Sequence, residues 1–354
     1  FECPELFFRR DHPADIIKRL DNPKLCGFSC YIWNEKYCLH VAEEIKKQWP
    51  ECIIVFGGEQ PDQSFLDYDF IDSLAQYEGE ENFLEILECI LDSKKIPKTF
   101  PKRRLHDLDI PSPYTEGIFD KIIKDNPNAK WNMTFETNRG CPFSCTFCNW
   151  GSLTQSKIKR FNLERVEKDL EWCIGKPITY LFAADANFGI FKERDLEIAR
   201  VIKRVAALSE IDAVNLQYTK NSNETVFEIA KEMDHLSRGI TVSVQSMNQP
   251  TLEAIKRTNL AFDNIDHVMS IAKKYKIKTY SEMILGLPLE TIDSWKDGLC
   301  ELLELGQHDS IDVWFAQLLQ NSELAHPDTV KQYGIKSVVA QDYITLNNYN
   351  YWED

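Results

Sequence analysis

Between Met133 and Phe315, short apolar runs alternate with amphipathic stretches about every thirty residues, and this repeat limits the fold more than any other feature. The runs are Met133–Thr137, Ile178–Ala183, Val214–Tyr218, Ile240–Val244, Thr279–Leu285 and Ile311–Phe315. The stretches between them read as helices: Ile265, Val268, Met269 and Ala272 fall at i, i+3, i+4 and i+7, and Trp295, Leu299, Leu302 and Leu303 at i, i+4, i+7 and i+8. Six strand–helix units with right-handed crossovers and buried strands predict an α/β chain whose residues 131–330 form a partial (β/α)6 barrel. In such a barrel the chemistry sits at the C-terminal ends of the strands.

The first of those strand ends leads into GCPFSCTFCNWG, residues 140–151, which holds Cys141, Cys145 and Cys148. Gly140 and Pro142 bend the backbone, so one loop turns three sulfurs toward a common point. Soft thiolates suit iron–sulfur clusters and zinc. A structural zinc ion wants four ligands, yet no histidine and no fourth cysteine lies within twenty residues on either side; the nearest is Cys173, in a helical pattern. The spacing favours a cluster held by three protein thiolates, with one iron left open. A zinc site completed from a distance and three inert core cysteines are the alternatives.

CxxxCxxC with an aromatic residue, Phe147, before the last cysteine resembles the signature of the radical S-adenosylmethionine (SAM) enzymes. The longer string ETNRGCPFSCTFCNWG, Glu136 to Gly151, resembles the branch of that family with a cobalamin-binding domain in front of the barrel. The resemblance implies a [4Fe–4S] cluster on Cys141, Cys145 and Cys148, SAM on the open iron, and Phe147 beside it. Ala183, Ala184 and Asp185 stand where the family has a Gly-Gly-Glu segment whose backbone meets the SAM ammonium; Asp185 is a further acceptor or a helix cap. Ser243 and Gln245, two apart and so on one strand face, correspond to groups facing the ribose or carboxylate, and Arg257 to a group near the carboxylate. Glu282 resembles a ribose- or substrate-facing acid, and Ile284 to Pro288, with Gly286, the segment beside adenine. Lys220, after the third strand, is a candidate for the SAM carboxylate or a substrate anion, or a solvated loop residue. No Ser/His/Asp or paired-carboxylate arrangement competes with this site, and no catalytic acid or base is assigned.

Ahead of the barrel, a helix is expected from Pro13 to Leu20, strands at Leu25–Trp33, Cys52–Phe56 and Phe70–Leu74, and helices through Val41, Ile45 and Trp49 and over Phe83–Leu91. This is the grammar of an open parallel α/β sheet, whose ligands sit at the strand ends. Three stretches at those ends resemble cobalamin-cradling loops: Ser29, Tyr31, Trp33 and Asn34; Gly57, Gly58 and Glu59; and Glu78, Gly79 and Glu80. By themselves Gly57-Gly58 equally mark a tight turn. Residues 1–92 are therefore expected to form a Rossmann-like, cobalamin-binding-type domain lacking the two further strands and helix with which the family's domain normally starts; a partner chain is one source of such segments. The Asp-x-His-x-x-Gly motif is absent and His40 lies within a helical pattern, so no histidine is expected on cobalt. Residues 93–130 read as a Pro-rich, charged linker, with Lys102, Arg103 and Arg104 as a solvated face or an anion contact, and 331–354 as a tail.

With 354 residues the chain has room for two domains. A formal charge of −15 repels polyanions, so no nucleic-acid partner is expected. Eleven cysteines without a secretory framework argue for reduced thiols and a metal, and no apolar run is long enough to span a membrane, so a cytoplasmic enzyme is expected. The resemblance implies methyl transfer from cobalamin to an unactivated carbon of a small molecule or peptide, with SAM and an external electron donor. A cobalamin-independent radical rearrangement or cyclisation and a zinc-stabilised binding module are the rival functions.

Overall fold

The computed structural model describes residue 3 and residues 5–76, 78–100, 105–150, 158–219, 224–257 and 262–338. The chain divides into two compact units, Phe1–His106 with Leu318–Asp354, and Asp107–Gln317. Two sequence boundaries shift accordingly. The expected linker splits: Ser73 Oγ donates to the Pro97 carbonyl (2.8 Å) and Leu74 N to the Lys98 carbonyl (3.0 Å) in the first unit, whereas Tyr114 packs, with tilted rings, against Phe119 and Trp172 in the second. Residues after Gln317 group with the first unit and not with the barrel: Asn321 Nδ2 donates to the Glu59 carbonyl (2.6 Å), and Gln320 donates to Asp62.

In the first unit, helix α1 (Pro13–Arg19) precedes β1 (Leu25–Ser29), α2 (Glu35–Gln48), β2 (Ile53–Gly57), β3 (Ser73–Ala75) and α3 (Gly79–Leu91). The strands form one parallel sheet in the order β1-β2-β3, with Leu25 opposite Ile53 and Val55 opposite Ser73. Its core gathers Val41, Ala42 and Ile45 of α2 against Ile54, Phe56, Ile71 and Leu74. Each such large apolar side chain contributes roughly 1.5–3 kcal/mol on burial. Three expected elements are corrected. The first strand ends at Ser29 instead of Trp33, because Asn34 closes residues 29–34 into a loop, accepting from Tyr31 N (2.7 Å) and donating to the Ser29 carbonyl (3.0 Å). The third strand is Ser73–Ala75 rather than Phe70–Leu74. Helix α3 starts at Gly79, not Phe83, so Glu80 and Glu81 occupy its first turn, where carboxylates complement the helix dipole.

The second unit carries the six expected parallel strands with helices between them, but the residues after the sixth strand group with the first unit. Its strands are β4 (Trp131–Phe135), the two-residue pair β5 (Asn138–Arg139) and β6 (Lys159–Arg160), then β7 (Ile178–Ala183), β8 (Ala213–Asn215), β9 (Ile240–Gln245), β10 (Thr279–Leu285) and β11 (Ser310–Phe315). Two parallel sheets, β4-β7-β8 and β9-β10-β11, follow chain order, and an isolated parallel bridge links Val214 of β8 to Ser237, three residues before β9. The third strand is shorter than Val214–Tyr218, although Tyr218 still bridges Phe188. Outside the barrel strands lie α4 (Leu163–Glu171), α5 (Lys192–Ala206), α6 (Glu224–Met233), α7 (Phe262–Tyr275) and α8 (Ile292–Glu304). Local signals explain their starts: Asn162 caps α4 by accepting from Glu164 N (2.8 Å), and Thr291 with Ser294 forms a reciprocal capping box on α8. Because every barrel strand is parallel, their C-terminal ends share one rim, and the cysteine loop leaves the first of them.

Candidate active site

The cysteine loop hangs from a buried polar frame. Asp185, just past β7, is fully buried, and its carboxylate accepts from Thr137 N (2.7 Å), Asn138 N (3.0 Å), Asn138 Nδ2 (3.0 Å) and the Thr137 hydroxyl. Four bonds fill the lone pairs of a carboxylate. In place of a further SAM acceptor or a helix cap, Asp185 anchors Thr137 and Asn138, which lead into Gly140. Burial pushes its carboxyl up to about 6 against the pull of those hydrogen bonds. Arg194 on α5 completes the frame, donating to the carbonyls of Thr137 (2.8 Å) and Phe161 (3.0 Å). Asp195, also fully buried, accepts from Gly189 N (2.9 Å) and Phe191 N (3.0 Å) at the start of the same helix.

Past this frame, Gly140 takes φ +111°, which a side chain would resist, and turns Cys141 inward. Cys141 and Cys145 are buried, and Cys148 is half-buried. Thr146 N donates to the Ile255 carbonyl (3.0 Å), which ties the middle of the loop to the segment after β9. Asn187 Nδ2 lies 3.3 Å from Cys141 Sγ, and the guanidinium of Arg257 donates to Cys145 and lies near Cys148 and Glu282. Arg257 is buried as well, donates to the Ser243 carbonyl, and is pulled below its ordinary pKa by that burial.

Among the described residues, the group of at least three metal-ligating side chains whose ligand atoms all lie within 4.8 Å of one another is His40, Glu43 and Glu44, on one face of α2. The three cysteine sulfurs do not meet that limit. A tetrahedral zinc ion with Zn–S bonds of about 2.3 Å holds its sulfurs ~3.8 Å apart, so the cysteines are spread too widely for one ion, whereas a cluster binds each thiolate through a different iron. Cys173 does not complete the set: it is buried against Met133 Sδ (3.1 Å), and burial pushes its thiol up to about 12. The donor set therefore fits an iron–sulfur cluster better than zinc.

Residues 135–299 match the family model of the radical SAM superfamily. The chain carries a radical SAM domain. The chain is 37% identical over 349 residues to a cobalamin-dependent radical SAM methyltransferase, TokK, of Streptomyces tokunonensis, covering 91% of this chain and 51% of the relative. It is 34% identical over 369 residues to a 2-(S-pantetheinyl)-carbapenam-3-carboxylate methyltransferase of Streptantibioticus cattleyicolor, covering 97% and 54%. The chain thus spans about half the length of these curated relatives. In fold it resembles the radical SAM methyltransferase TsrM of Kitasatospora setae, solved with cobalamin and a [4Fe–4S] cluster, at a TM-score of 0.68 and 14% identity over 92% of this chain and 67% of that one.

Of the remaining expected residues of the radical SAM domain, several come together around the loop. Phe147 and Ile284 pack on the apolar cluster of Leu252, Ile255 and Leu287. Gly286 takes φ +96° at the end of β10, which only glycine adopts without strain. Ser243 Oγ donates to Glu282 Oε2 (3.1 Å), so these two form one polar pair on adjacent strands. Gln245 does not share their row: a bulge sets Ser243 opposite Glu282 but Gln245 opposite Met283, and Gln245 takes φ +59° with a buried, unpartnered Oε1. Ala183 is buried in β7, and Ala184 N donates to the Phe135 carbonyl (2.8 Å). Lys220 lies outside the described residues.

The first unit's candidates divide in two. Residues 29–34 and 57–60 are knit together, Cys30 N donating to the Gly57 carbonyl (2.8 Å) and Gln60 N to the Cys30 carbonyl (3.1 Å). Gly58 has φ +96°, and a Cβ there would meet the Cys30 carbonyl oxygen at 2.5 Å; at Gly57 it would meet the Ala75 oxygen at 3.0 Å. Both glycines are thus required by close strand approach. Tyr31 and Trp33 stack at 4.6 Å and 3°, with Trp33 half exposed, and Glu59 keeps a buried, unpartnered Oε2 while burial raises its pKa. In the third stretch, Glu78 accepts from Leu105 N, and Gly79 and Glu80 belong to α3. His40 lies within α2, as its spacing indicated.

Asn187, Arg194, Asp195 and the anchoring role of Thr137 and Asn138 escaped the sequence reading. Thr137 and Asn138 stand inside the string Glu136 to Gly151 and Asn187 two residues past Asp185, but a motif does not say which of its polar residues face the backbone of another loop.

Proposed function

We propose that this chain contains the catalytic core of a cobalamin-dependent radical SAM methyltransferase that adds a methyl group to an unactivated carbon of a small molecule or peptide. The observation that carries the reading is the cysteine loop at the barrel rim, whose three sulfurs do not gather within 4.8 Å of one another as one zinc ion would require, and which would leave one iron of a cluster without a protein ligand. The two curated relatives named above, both methyltransferases, support the methyl-transfer part. When bound, the cluster, SAM and cobalamin supply the reducing electron, the hydrogen-abstracting radical and the methyl group.

The chain's own residues hold and orient. Cys141, Cys145 and Cys148 take the cluster, with Arg257 balancing the charge of Cys145 and Cys148. Phe147, Ile284 and Leu287 form an apolar wall suited to an adenine face, and Ser243 with Glu282 offers polar groups to ribose hydroxyls or a substrate. In the first unit all three strands are parallel, so the loops after β1 and β2 share one edge of the sheet. There the stacked Tyr31 and Trp33 present an apolar face, and the orphaned Glu59 Oε2 a polar partner for the amides of a corrin. No histidine stands among these loop residues.

The test is anaerobic reconstitution of the chain with iron, sulfide, cobalamin and labelled SAM, plus an external reductant. Formation of both 5′-deoxyadenosine and S-adenosylhomocysteine is expected, and Cys145→Ala abolishes both. 5′-Deoxyadenosine alone indicates a rearrangement or cyclisation, and purified protein holding zinc without iron and sulfide sinks the reading.

A further inference from the structure

We propose that Asn187 is a positioning residue that sets the reduction potential of the cluster by donating a hydrogen bond to the sulfur of Cys141. The inference rests on the radical SAM reading of the cysteine loop. Its geometry is direct: Nδ2 stands 3.3 Å from Cys141 Sγ, and neither residue has appreciable solvent exposure, 0% for Asn187 and 4% for Cys141. A cluster-bound thiolate has lone pairs and no proton, so only the N–H edge of the amide satisfies it. Hydrogen bonds to ligand sulfurs are among the factors that set iron–sulfur potentials. Reduction adds negative charge, part of it on sulfur, so a donor stabilises the reduced form more than the oxidised one. In a water-poor site that difference is enlarged.

Asn187 is also held too firmly to drift. Two residues before it, Asp185 anchors Thr137 and Asn138, which lead to Cys141, so donor and acceptor depend on one carboxylate. On its other side, Phe188 N donates to the Gln217 carbonyl (2.7 Å), Thr219 N to the Phe188 carbonyl (2.8 Å), and Gly189 N to Asp195. Asn187 Oδ1 is buried with no hydrogen-bond partner, as is that of Asn138, whose Nδ2 donates to Asp185. The satisfied end of Asn187 points at the sulfur. The three ligands are therefore unequal: Arg257 donates to Cys145 and lies near Cys148, whereas Cys141 meets a neutral amide.

The experiment is a redox titration, followed by electron paramagnetic resonance, of the reconstituted chain and its Asn187→Leu and Asn187→Asp variants, with iron and sulfide counted in each. Both variants are expected to hold as much cluster as the parent while its potential moves to more negative values. Loss of one charge-assisted bond lowers the equilibrium constant for reduction by roughly tenfold, about 59 mV for one electron; Asn187→Asp, which adds a negative charge at the same volume, moves further in the same direction. An unchanged or more positive potential at full iron content overturns the proposal. Should Asn187→Leu fail to load, the isosteric Asp variant decides, and failure of both to load shows a structural role and overturns it too. If the parent chain assembles no iron–sulfur cluster at all, the radical SAM reading falls with it, an outcome distinct from a loaded cluster whose potential ignores Asn187.

Discussion

The two units fix their candidate loops by different means. In the barrel, the lead into the cysteine loop is held by buried charge: Asp185 receives four hydrogen bonds from Thr137 and Asn138, and Arg194 grips the same segment from a neighbouring helix. In the first unit, the loops after β1 and β2 are held by backbone meeting backbone, made possible by glycines where a Cβ has no room. The contrast follows from what each loop carries. Residues 140–148 leave the ladder of β4 at a Gly and a Pro, with Cys141 held in an isolated β-bridge, so side chains from elsewhere satisfy the backbone that leads into them. Residues 57–60 simply prolong a parallel ladder by one turn, and the ladder's own bonds suffice.

The largest effect should come from breaking the glycine side of this comparison. Gly58→Ala forces a Cβ to 2.5 Å from the Cys30 carbonyl oxygen at φ +96°. Overpacking against rigid backbone and a left-handed non-glycine residue together cost on the order of 4 kcal/mol. Hydrogen exchange measured by mass spectrometry is expected to rise across residues 25–76 and to stay unchanged in the cysteine loop. Equal loss of protection in both places would show that the loops are not held independently.

The charged side is tested next by pH. The ordinary value for Asp185 is 3.8, and burial lifts it to about 6 in the folded chain. The folded state thus binds this proton more tightly than the unfolded one, so the group's contribution is fully present below about pH 4 and is lost as pH rises to about 6. At 1.36 kcal/mol per pH unit the gap amounts to about 3 kcal/mol. Asp185→Asn should remove that part of the slope in denaturant melts run from pH 4 to 7. A smaller slope remains, because burial also raises Asp195 and Asp169. A variant as pH-dependent as the parent would mean that Asp185 is solvated and the frame is not closed.

The repeat of strands and helices was legible because each barrel strand is a continuous apolar run, and two of the six, Ile178–Ala183 and Thr279–Leu285, have the bounds read from sequence. The cysteine motif was legible because its spacing is local. What stayed hidden depends on contacts across long sequence separations: Asp185 lies 48 residues from Thr137, and no pattern within either segment tells whether the carboxylate faces a ligand or a backbone. Gln245 was misplaced for a similar reason. Alternation predicts a shared face with Ser243, but the bulge that breaks it appears only when β9 is laid against β10. The first strand was overextended because CYIW continues an apolar run, while the amide of Asn34 turns it into a loop.

That amide supplies the finest test of the comparison, since it is the first unit's counterpart to Asp185: a side chain that bonds the backbone of a ligand loop, here at Tyr31 N and the Ser29 carbonyl. It differs in setting. Asp185 is fully buried, whereas Asn34 is only partly so, and one of its two bonds is open to water. Water can replace what Asn34 provides, so Asn34→Ala should cost about 1 kcal/mol, read as a small shift in the melting midpoint with the Tyr31–Trp33 stack loosened in near-ultraviolet circular dichroism. The sheet beneath should keep its exchange protection, because Cys30 and Gly57 still bond directly. A loss comparable to that of Gly58→Ala would reverse the assignment and make the first unit's loops as dependent on a single side chain as the cysteine loop is on Asp185.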